Sequence, residues 1–368
     1  MYICHMEPQV KNIAGAFAIQ GNILEIKPLG NGLINDTFKV KTDGPDDYVL
    51  QRINNAIFKD VELLQHNIEC ATAHIRKKLE AAGESDIDRK VLRFIPCKAT
   101  GKTYWTDGTT FWRVSVFVKD AFTYETVNPE YSYYCGKAFG RFEAQLADIP
   151  DKLGETIPDF HNMELRARQL HEAVKADAAG RMAQPEVQAI LADLLPFEEE
   201  MCKAERLYRE GKLPKRICHC DTKVNNMMFD ASGNILCVID LDTLMPSFVF
   251  SDFGDFLRTA ANTVAEDDPA VEKVDFKMDI FEAFTKGYLE SAKVFLTPLE
   301  IENLPYAACL FPYMQAVRFF ADYINGDTYY KIKYPEHNLV RTRNQVALFH
   351  AALRKVPAMK DFIASLSF

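Results

Sequence analysis

The residues that could do chemistry cluster in one stretch, His219-Cys220-Asp221-Thr222-Lys223-Val224-Asn225-Asn226, followed by Val238-Ile239-Asp240-Leu241-Asp242. Asp221 can accept a proton from an attacking hydroxyl. Lys223, two residues on, can lie beside a transferring phosphoryl group. Asn226 and Asp240 offer hard oxygen ligands of the kind Mg²⁺ takes. A His-x-Asp-x-x-x-x-Asn loop followed by a carboxylate at the end of a nearby strand is the arrangement used for metal-assisted phosphoryl transfer.

The segment between the two halves supports that chemistry. Met227-Met228-Phe229 is a short apolar run, Asp230-Ala231-Ser232-Gly233-Asn234 is a turn cluster, and Ile235 to Ile239 is a second apolar, β-rich run. The pattern predicts a hairpin with Asn226 at the start of one strand and Asp240 at the end of its partner, so antiparallel pairing would bring the two together. Taken singly, His219 reads as a buried hydrogen-bonded histidine and Asp221 as a turn cap. The motif and its context together favour phosphoryl transfer. Cys218, His219 and Cys220 are adjacent on a predicted strand, point to alternate faces and cannot all turn to one metal; no C-x-x-C pair occurs, so a structural zinc site is not expected.

Upstream, 8–20 has helical periodicity. Strand-like Ile23 to Leu29 runs through Gly30-Asn31-Gly32 into a second strand, a turn whose glycines could let main-chain amides approach nucleotide phosphates. Taken alone, it is also an ordinary hairpin turn. Tyr48 to Asn54 is a third strand. Its Arg52 is the candidate cation for nucleotide phosphates, against the plain alternative of a solvent-directed side chain. An amphipathic helix over about 60–82 buries Val61, Leu64, Ile68, Ala71, Ile75 and Leu79, with Glu62 and Glu69 as candidates to pair with Arg52 against the plainer reading of solvated face charges. Strands over 89–96 and 110–118 complete a five-stranded array. Phe117 and Val118 sit where a hinge would offer main-chain groups to an adenine edge.

From Pro129 the chain is predominantly helical, with helices expected over 131–146, 165–178, 185–211, 275–293, 298–324 and 338–354. Asp255, in Ser251-Asp252-Phe253-Gly254-Asp255 ahead of a further helix, reads as a carboxylate that caps that helix and steadies the loop. Arg318 and Asp322, four apart on a helix, read as a surface pair, and Tyr329-Tyr330 as packing residues.

The 368 residues carry a net charge of −9 and are 48% hydrophobic, an ordinary globular composition long enough for two cores. No basic run stands out, which disfavours nucleic acid. No secretory apolar segment and no membrane-length apolar run is seen. Nine cysteines at irregular spacing fit reduced thiols in the cytoplasm.

With these residues in view, the chain resembles the aminoglycoside/choline/homoserine kinase superfamily over nearly its whole length, and within it the N-acetylhexosamine 1-kinases. The likeness rests on Tyr48 to Asn54, on Glu155-Thr156-Ile157-Pro158-Asp159-Phe160-His161-Asn162 and on His219-x-Asp221-Thr222-Lys223-x-x-Asn226. It also rests on Arg318-Phe319-x-x-Asp322-Tyr323-x-x-Gly326-Asp327-x-Tyr329.

The resemblance implies an α+β, protein-kinase-like two-lobe fold: an antiparallel-sheet nucleotide-binding lobe with one long helix over 1–118, and a mainly helical catalytic and substrate-binding lobe over 119–368. It implies ATP- and Mg²⁺-dependent phosphorylation of the anomeric hydroxyl of an N-acetylhexosamine. Asp221 would be the base and touch the sugar, Asn226 and Asp240 would hold the metal, and Arg318 and Tyr329 would recognise the sugar. Asp242 is a further carboxylate without an assigned role. Two other readings stand beside this one: a kinase of the same fold acting on an aminoglycoside, choline or homoserine, and a non-catalytic nucleotide- or sugar-binding protein. The intact Asp221, Lys223, Asn226 and Asp240 weigh against the last.

Overall fold

A computed structural model describes residues 3–30, 35–124 and 127–366. The chain divides into two compact units that interleave along the sequence: 1–122 with 148–158 and 228–245, and 123–147 with 159–227 and 246–368.

The first unit opens with α1 (Ile3–Gly15) and builds a six-stranded sheet from β1 (Ile23–Pro28), β2 (Asp36–Thr42), β3 (Tyr48–Ile53), β4 (Phe94–Ile95), β5 (Tyr104–Thr106) and β6 (Phe111–Val116). The order is β1-β2-β3-β6-β4, with β5 also on β6, and every pairing is antiparallel. Val10, Ile13 and Phe17 pack on Val40, Tyr48, Leu50, Trp112 and Val114 to form a core on one face. Between β3 and β4 run α2 (Val61–Ala81) and the short α3 (Ile87–Lys90). The Asp60 side chain caps α2 by accepting the Leu63 N–H at 2.9 Å. Its buried stripe includes the six apolar residues that the periodicity picks out.

The second unit is helical: α4 (Pro129–Leu146), α5 (Met163–Ala176), α6 (Pro185–Leu194), α7 (Glu198–Met201) and α8 (Lys203–Arg209). Three short strands follow, β7 (Arg216–Cys218), β8 (Met227–Phe229) and β9 (Ile235–Val238); β8 pairs with β9 as the predicted hairpin, which from Met228 on belongs to the first unit. Then come β10 (Met245–Ser247), which pairs with β7, and α9 (Phe250–Ala260), α10 (Met278–Ala292), α11 (Pro298–Glu302), α12 (Leu304–Ile324) and α13 (His337–Ser365). Helices α4 and α10 approach at backbone distance: a Cβ on Gly136 would lie 2.1 Å from the Phe284 carbonyl oxygen, and one on Gly287 would lie 2.0 Å from that of Tyr133. Neither position admits a side chain.

An antiparallel sheet in the N-terminal part followed by a mainly helical remainder is the expected α+β, protein-kinase-like class. Several elements differ from expectation. The leading helix ends at Gly15 rather than Gln20. The strand expected over 89–96 keeps only Phe94–Ile95, because 87–90 turns as a helix, and Tyr104–Thr106 adds a strand. The helix expected over 185–211 is broken at Leu195-Pro196-Phe197, since proline cannot donate the next hydrogen bond. The helix over 298–324 is interrupted at Asn303, where Pro305 starts a new one. The last helix runs on to Ser365.

Candidate active site

In the second unit, the loop after β7 turns sharply at Cys220, whose φ of 62° is left-handed and unusual for a residue with a side chain. Asp252, in the first turn of α9, holds that turn. Its Oδ2 accepts the His219 N–H at 2.8 Å, its Oδ1 accepts the Cys220 N–H at 2.7 Å, and its carbonyl oxygen accepts the Thr222 hydroxyl at 2.7 Å. Burial raises the pKa of Asp252 against the pull of these donors. Beneath it lies Glu143 of α4, fully buried, which accepts the Tyr288 hydroxyl. Burial, and then the charge of Asp252, pushes its pKa well above the usual range, so it stays protonated. His219 is the buried, hydrogen-bonded histidine of the structural reading: it stands edge-on to Phe139 and Phe142, and its Nδ1 accepts the Asp221 N–H at 3.3 Å.

The carboxylate that steadies the loop is therefore Asp252 rather than Asp255. The helix begins at Phe250, which leaves Asp255 inside it, 3.1 Å from Arg258. With the loop pinned, Asp221 and Lys223 meet: Lys223 Nζ lies 2.6 Å from Asp221 Oδ1. Burial pulls the Lys223 ammonium down, and the carboxylates of Asp221 and Asp255 outweigh it, leaving its pKa raised. Asn226 donates its amide N–H to the Asp221 carbonyl oxygen at 2.8 Å and to Asp221 Oδ2 at 3.3 Å. That arrangement uses the amide nitrogen and leaves the amide oxygen for a cation, so the donor set fits a hard divalent ion.

Asp221, Lys223 and Arg318 line one cavity of about 180 Å³, together with Phe160, His161, Asp255, Arg258, Gln315 and Tyr330. The Arg318 guanidinium lies 5.7 Å from the ring centroids of both Phe160 and Tyr330 and donates to Gln315 at 3.2 Å. It does not pair with Asp322. Asp322 is buried and accepts the N–H groups of Thr328, Tyr329 and Tyr330 at 2.9, 2.8 and 3.0 Å, which shapes the chain after α12. Tyr329 is 73% exposed and lines an adjoining cavity, whereas Tyr330 lines both. Phe160, His161, Gln315 and Arg258 are neighbours of Asp221 that sequence reasoning did not select. Phe160 and His161 lie inside the quoted Glu155 to Asn162 motif, a signal that could have pointed to them.

In the first unit, Gly30 adopts φ 69° with open space around it; Gly32 lies outside the described residues. Arg52 faces Asp36 across the β2–β3 ladder at 3.6 Å, its side chain 47% exposed. The Phe117 N–H donates to the Asp47 carbonyl oxygen at 2.9 Å, its ring lies under Lys39, and Val118 is buried. Glu62 pairs with Lys102 at 2.6 Å, and Glu69 accepts the Thr103 hydroxyl.

Among the described residues of this unit, the buried cation is Arg113 on β6, 2.5 Å from Asp242 Oδ1 and 3.0 Å from Gln51 Oε1. Asp242 Oδ2 accepts the Asn35 side-chain amide at 2.7 Å, so this carboxylate is part of the interior. Asp240, just beyond β9, is left-handed at φ 59°. Among the described residues, eight cysteines are free thiols. Among the described residues one grouping, Glu143, Cys218 and Asp252, holds three potential metal-ligand atoms close together, and both Asp252 oxygens are already taken by loop N–H groups. Among the described residues, no helix is long and apolar enough to cross a membrane.

Solved structures share this architecture. An aminoglycoside phosphotransferase from Alicyclobacillus acidocaldarius is similar at a TM-score of 0.63 with 13% identity, covering 97% of this chain and 96% of that one. An amicoumacin kinase bound to AMP-PNP and Ca²⁺ gives 0.59 with 14% identity over 93% of both chains. Choline kinase LicA from Streptococcus pneumoniae gives 0.51 with 14% identity, over 96% of this chain and 99% of that one. At such identities the likeness establishes the fold. The sequence model of the phosphotransferase enzyme family, APH, matches residues 25–278, well over half of the chain, and the protein is therefore a member of the APH phosphotransferase family.

Proposed function

We propose that the protein transfers the γ-phosphoryl group of ATP to the anomeric hydroxyl of an N-acetylhexosamine, giving the sugar 1-phosphate. The observation that carries the acceptor class is the charge of the cavity at Asp221. It is lined by Lys223, Arg258 and Arg318 against Asp221 and Asp255. His161 adds no charge, because burial and then the neighbouring arginines hold its pKa well below the usual value. A polycationic aminoglycoside needs a surplus of carboxylates, which this lining does not offer, and a choline needs acidic or aromatic groups free of competing cations, whereas here three cationic side chains share the cavity with the aromatic rings. Arg318 between Phe160 and Tyr330, with Gln315 beside it, presents planar donors and aromatic faces suited to a neutral, hydroxyl-rich ring.

In this reading Asp221 orients the acceptor hydroxyl and takes its proton as the O–P bond forms, and ADP leaves. Lys223 lies beside the transferring group and offsets its charge. Asn226 and Asp240 would hold Mg²⁺, which would supply positive charge to offset that of the nucleotide phosphates. Gly30, Gly32, Arg52, Phe117 and Val118 serve the nucleotide. Positioning and electrostatics supply most of the rate, as phosphoryl transfer requires.

The test is ADP release with ATP and Mg²⁺ over a panel of N-acetylglucosamine, N-acetylgalactosamine, glucosamine, glucose, choline, homoserine and kanamycin, with the product position read by phosphorus NMR. Phosphate on the anomeric oxygen of an N-acetylhexosamine supports the reading. Turnover confined to another alcohol keeps the role of Asp221 and discards the sugar. Nucleotide binding with no turnover discards the catalytic reading.

A further inference from the structure

A second cavity, about 360 Å³, adjoins the one at Asp221 and shares Arg318 and Tyr330 with it. Arg166 and Gln169 of α5 and Asn325, Thr328 and Tyr329 at the end of α12 complete its polar wall.

Two guanidinium groups therefore line one cavity, and among the described residues neither forms an ion pair. Arg166 donates to the main-chain oxygens of Asp159 and Phe160 at 3.2 and 2.6 Å and to the Gln169 side chain at 3.0 Å. Its Nε is buried without a hydrogen-bond partner. Arg318 is held by Gln315 and by aromatic faces alone. The two carboxylates of the cavity do not answer this charge. Asp322 has both oxygens committed to main-chain N–H groups and to Asn338, and Glu172 is largely exposed with Arg168 at 3.9 Å. Burial and the nearby Arg318 pull the Arg166 pKa down to about 10, so Arg166 stays charged at neutral pH despite that neighbour.

A buried donor without a partner and two unpaired guanidiniums are costly unless an oxyanion completes them, and the planar forks of arginine match the oxygens of a phosphate.

We propose that this second cavity is a phosphate-monoester subsite adjoining the acceptor cavity, with Arg166 and Arg318 as its anion ligands and Tyr329 at its lip. The placement rests on reading the adjoining cavity as the acceptor site. Two sources share this chemistry: a phosphate already carried on the far side of the acceptor, and a separate phosphorylated molecule that occupies the cavity while a neutral sugar reacts.

The test begins with calorimetric titration of the full chain with inorganic phosphate, without ATP, so that its outcome does not depend on turnover. Saturable binding is expected, weakened tenfold or more by Arg166→Gln. Asn325→Asp, an exposed position that adds a negative charge to the wall and removes neither arginine, is expected to weaken it similarly with an unchanged melting temperature. No saturable binding, or binding undiminished in both variants, overturns the proposal. Kinetics then separate the sources. A higher kcat/KM for N-acetylglucosamine 6-phosphate than for N-acetylglucosamine, lost in Arg166→Gln, assigns the phosphate to the acceptor. A change in the N-acetylglucosamine rate on adding inorganic phosphate, absent in Arg166→Gln, assigns it to a separate molecule.

Discussion

Lys223 Nζ and Asp221 Oδ1 stand 2.6 Å apart at the wall of a cavity, an ion pair formed two residues along one loop and open to a ligand. In the proposed mechanism such a pair supplies a proton acceptor and a fixed positive charge to the same transferring group. Asp221→Asn keeps the shape and removes the proposed base, so kcat is expected to fall by about 10² to 10⁴ with the melting temperature nearly unchanged. Lys223→Met is expected to lower kcat by about 10² or more with a smaller change in acceptor KM. Steady-state ADP release checks both, and full activity in Asp221→Asn would remove it from the mechanism.

Asp252 binds the two main-chain N–H groups that shape the loop at 2.8 and 2.7 Å. Asp252→Ala leaves both buried and unmet, at about 1–3 kcal/mol each. Urea unfolding is expected to register that loss, and kcat to fall with it although residue 252 does not line the cavity. A variant with wild-type stability and kcat would mean that the loop holds its shape without this carboxylate.

Arg113 and Asp242 form a buried pair. Arg113→Met is expected to destabilise the protein by about 3–5 kcal/mol, because it strands a buried carboxylate. The double change Arg113→Met with Asp242→Leu is expected to recover much of that loss. A double-mutant cycle in chemical denaturation measures the coupling, and additive losses would contradict the pairing.

Glu205 on α8 accepts the Met163 N–H at 2.7 Å, and burial lifts its pKa to about 7 from an ordinary 4.5. The folded state thus holds a proton that the unfolded chain releases between pH 4.5 and 7. Its stabilising contribution is complete below 4.5, declines as pH rises through that window and is gone above about 7. Glu205→Gln keeps the acceptor oxygen without the titration. It is expected to match the wild type near pH 4.5 and to be more stable by about 3 kcal/mol at pH 8, from 1.36 kcal/mol per unit. Denaturation at the two pH values decides, and a difference independent of pH would refute the shift.

Chelation by EDTA is expected to abolish turnover, and excess Mg²⁺ to restore it. Asn226→Ala should raise the Mg²⁺ concentration needed for half-maximal rate by about tenfold or more, as loss of one ligand in a sparse site implies. An unchanged Mg²⁺ dependence would exclude the Asn226 side chain as a ligand.

The α2 stripe, the β8–β9 hairpin and the sheet-then-helices order were legible because each depends on periodicity and turn chemistry within a short window. The α9 boundary was not. Phe248-Val249-Phe250 carries no capping signal, so the helix start fell too late and the supporting carboxylate was placed at Asp255 instead of Asp252. Arg318 and Asp322 share a helix spacing that suggests a surface pair. The chain after α12 instead folds back and gives Asp322 three main-chain donors, which no local pattern foretells.

The sequence by itself determined which reactive groups exist and which travel together. His219, Asp221, Lys223 and Asn226 lie in one loop, and their mutual reach follows from a few covalent links. Tertiary structure alone decided which of the acidic side chains keeps a carboxylate open to a ligand. Asp242 is paired with Arg113, Asp252 is consumed by loop N–H groups, Asp322 by the chain after α12, and Asp221, partnered by Lys223 and Asn226 of its own loop, still lines a cavity. Burial and pairing are set by residues far apart in the chain, so the same residue type can be a strut at one position and an open carboxylate at another.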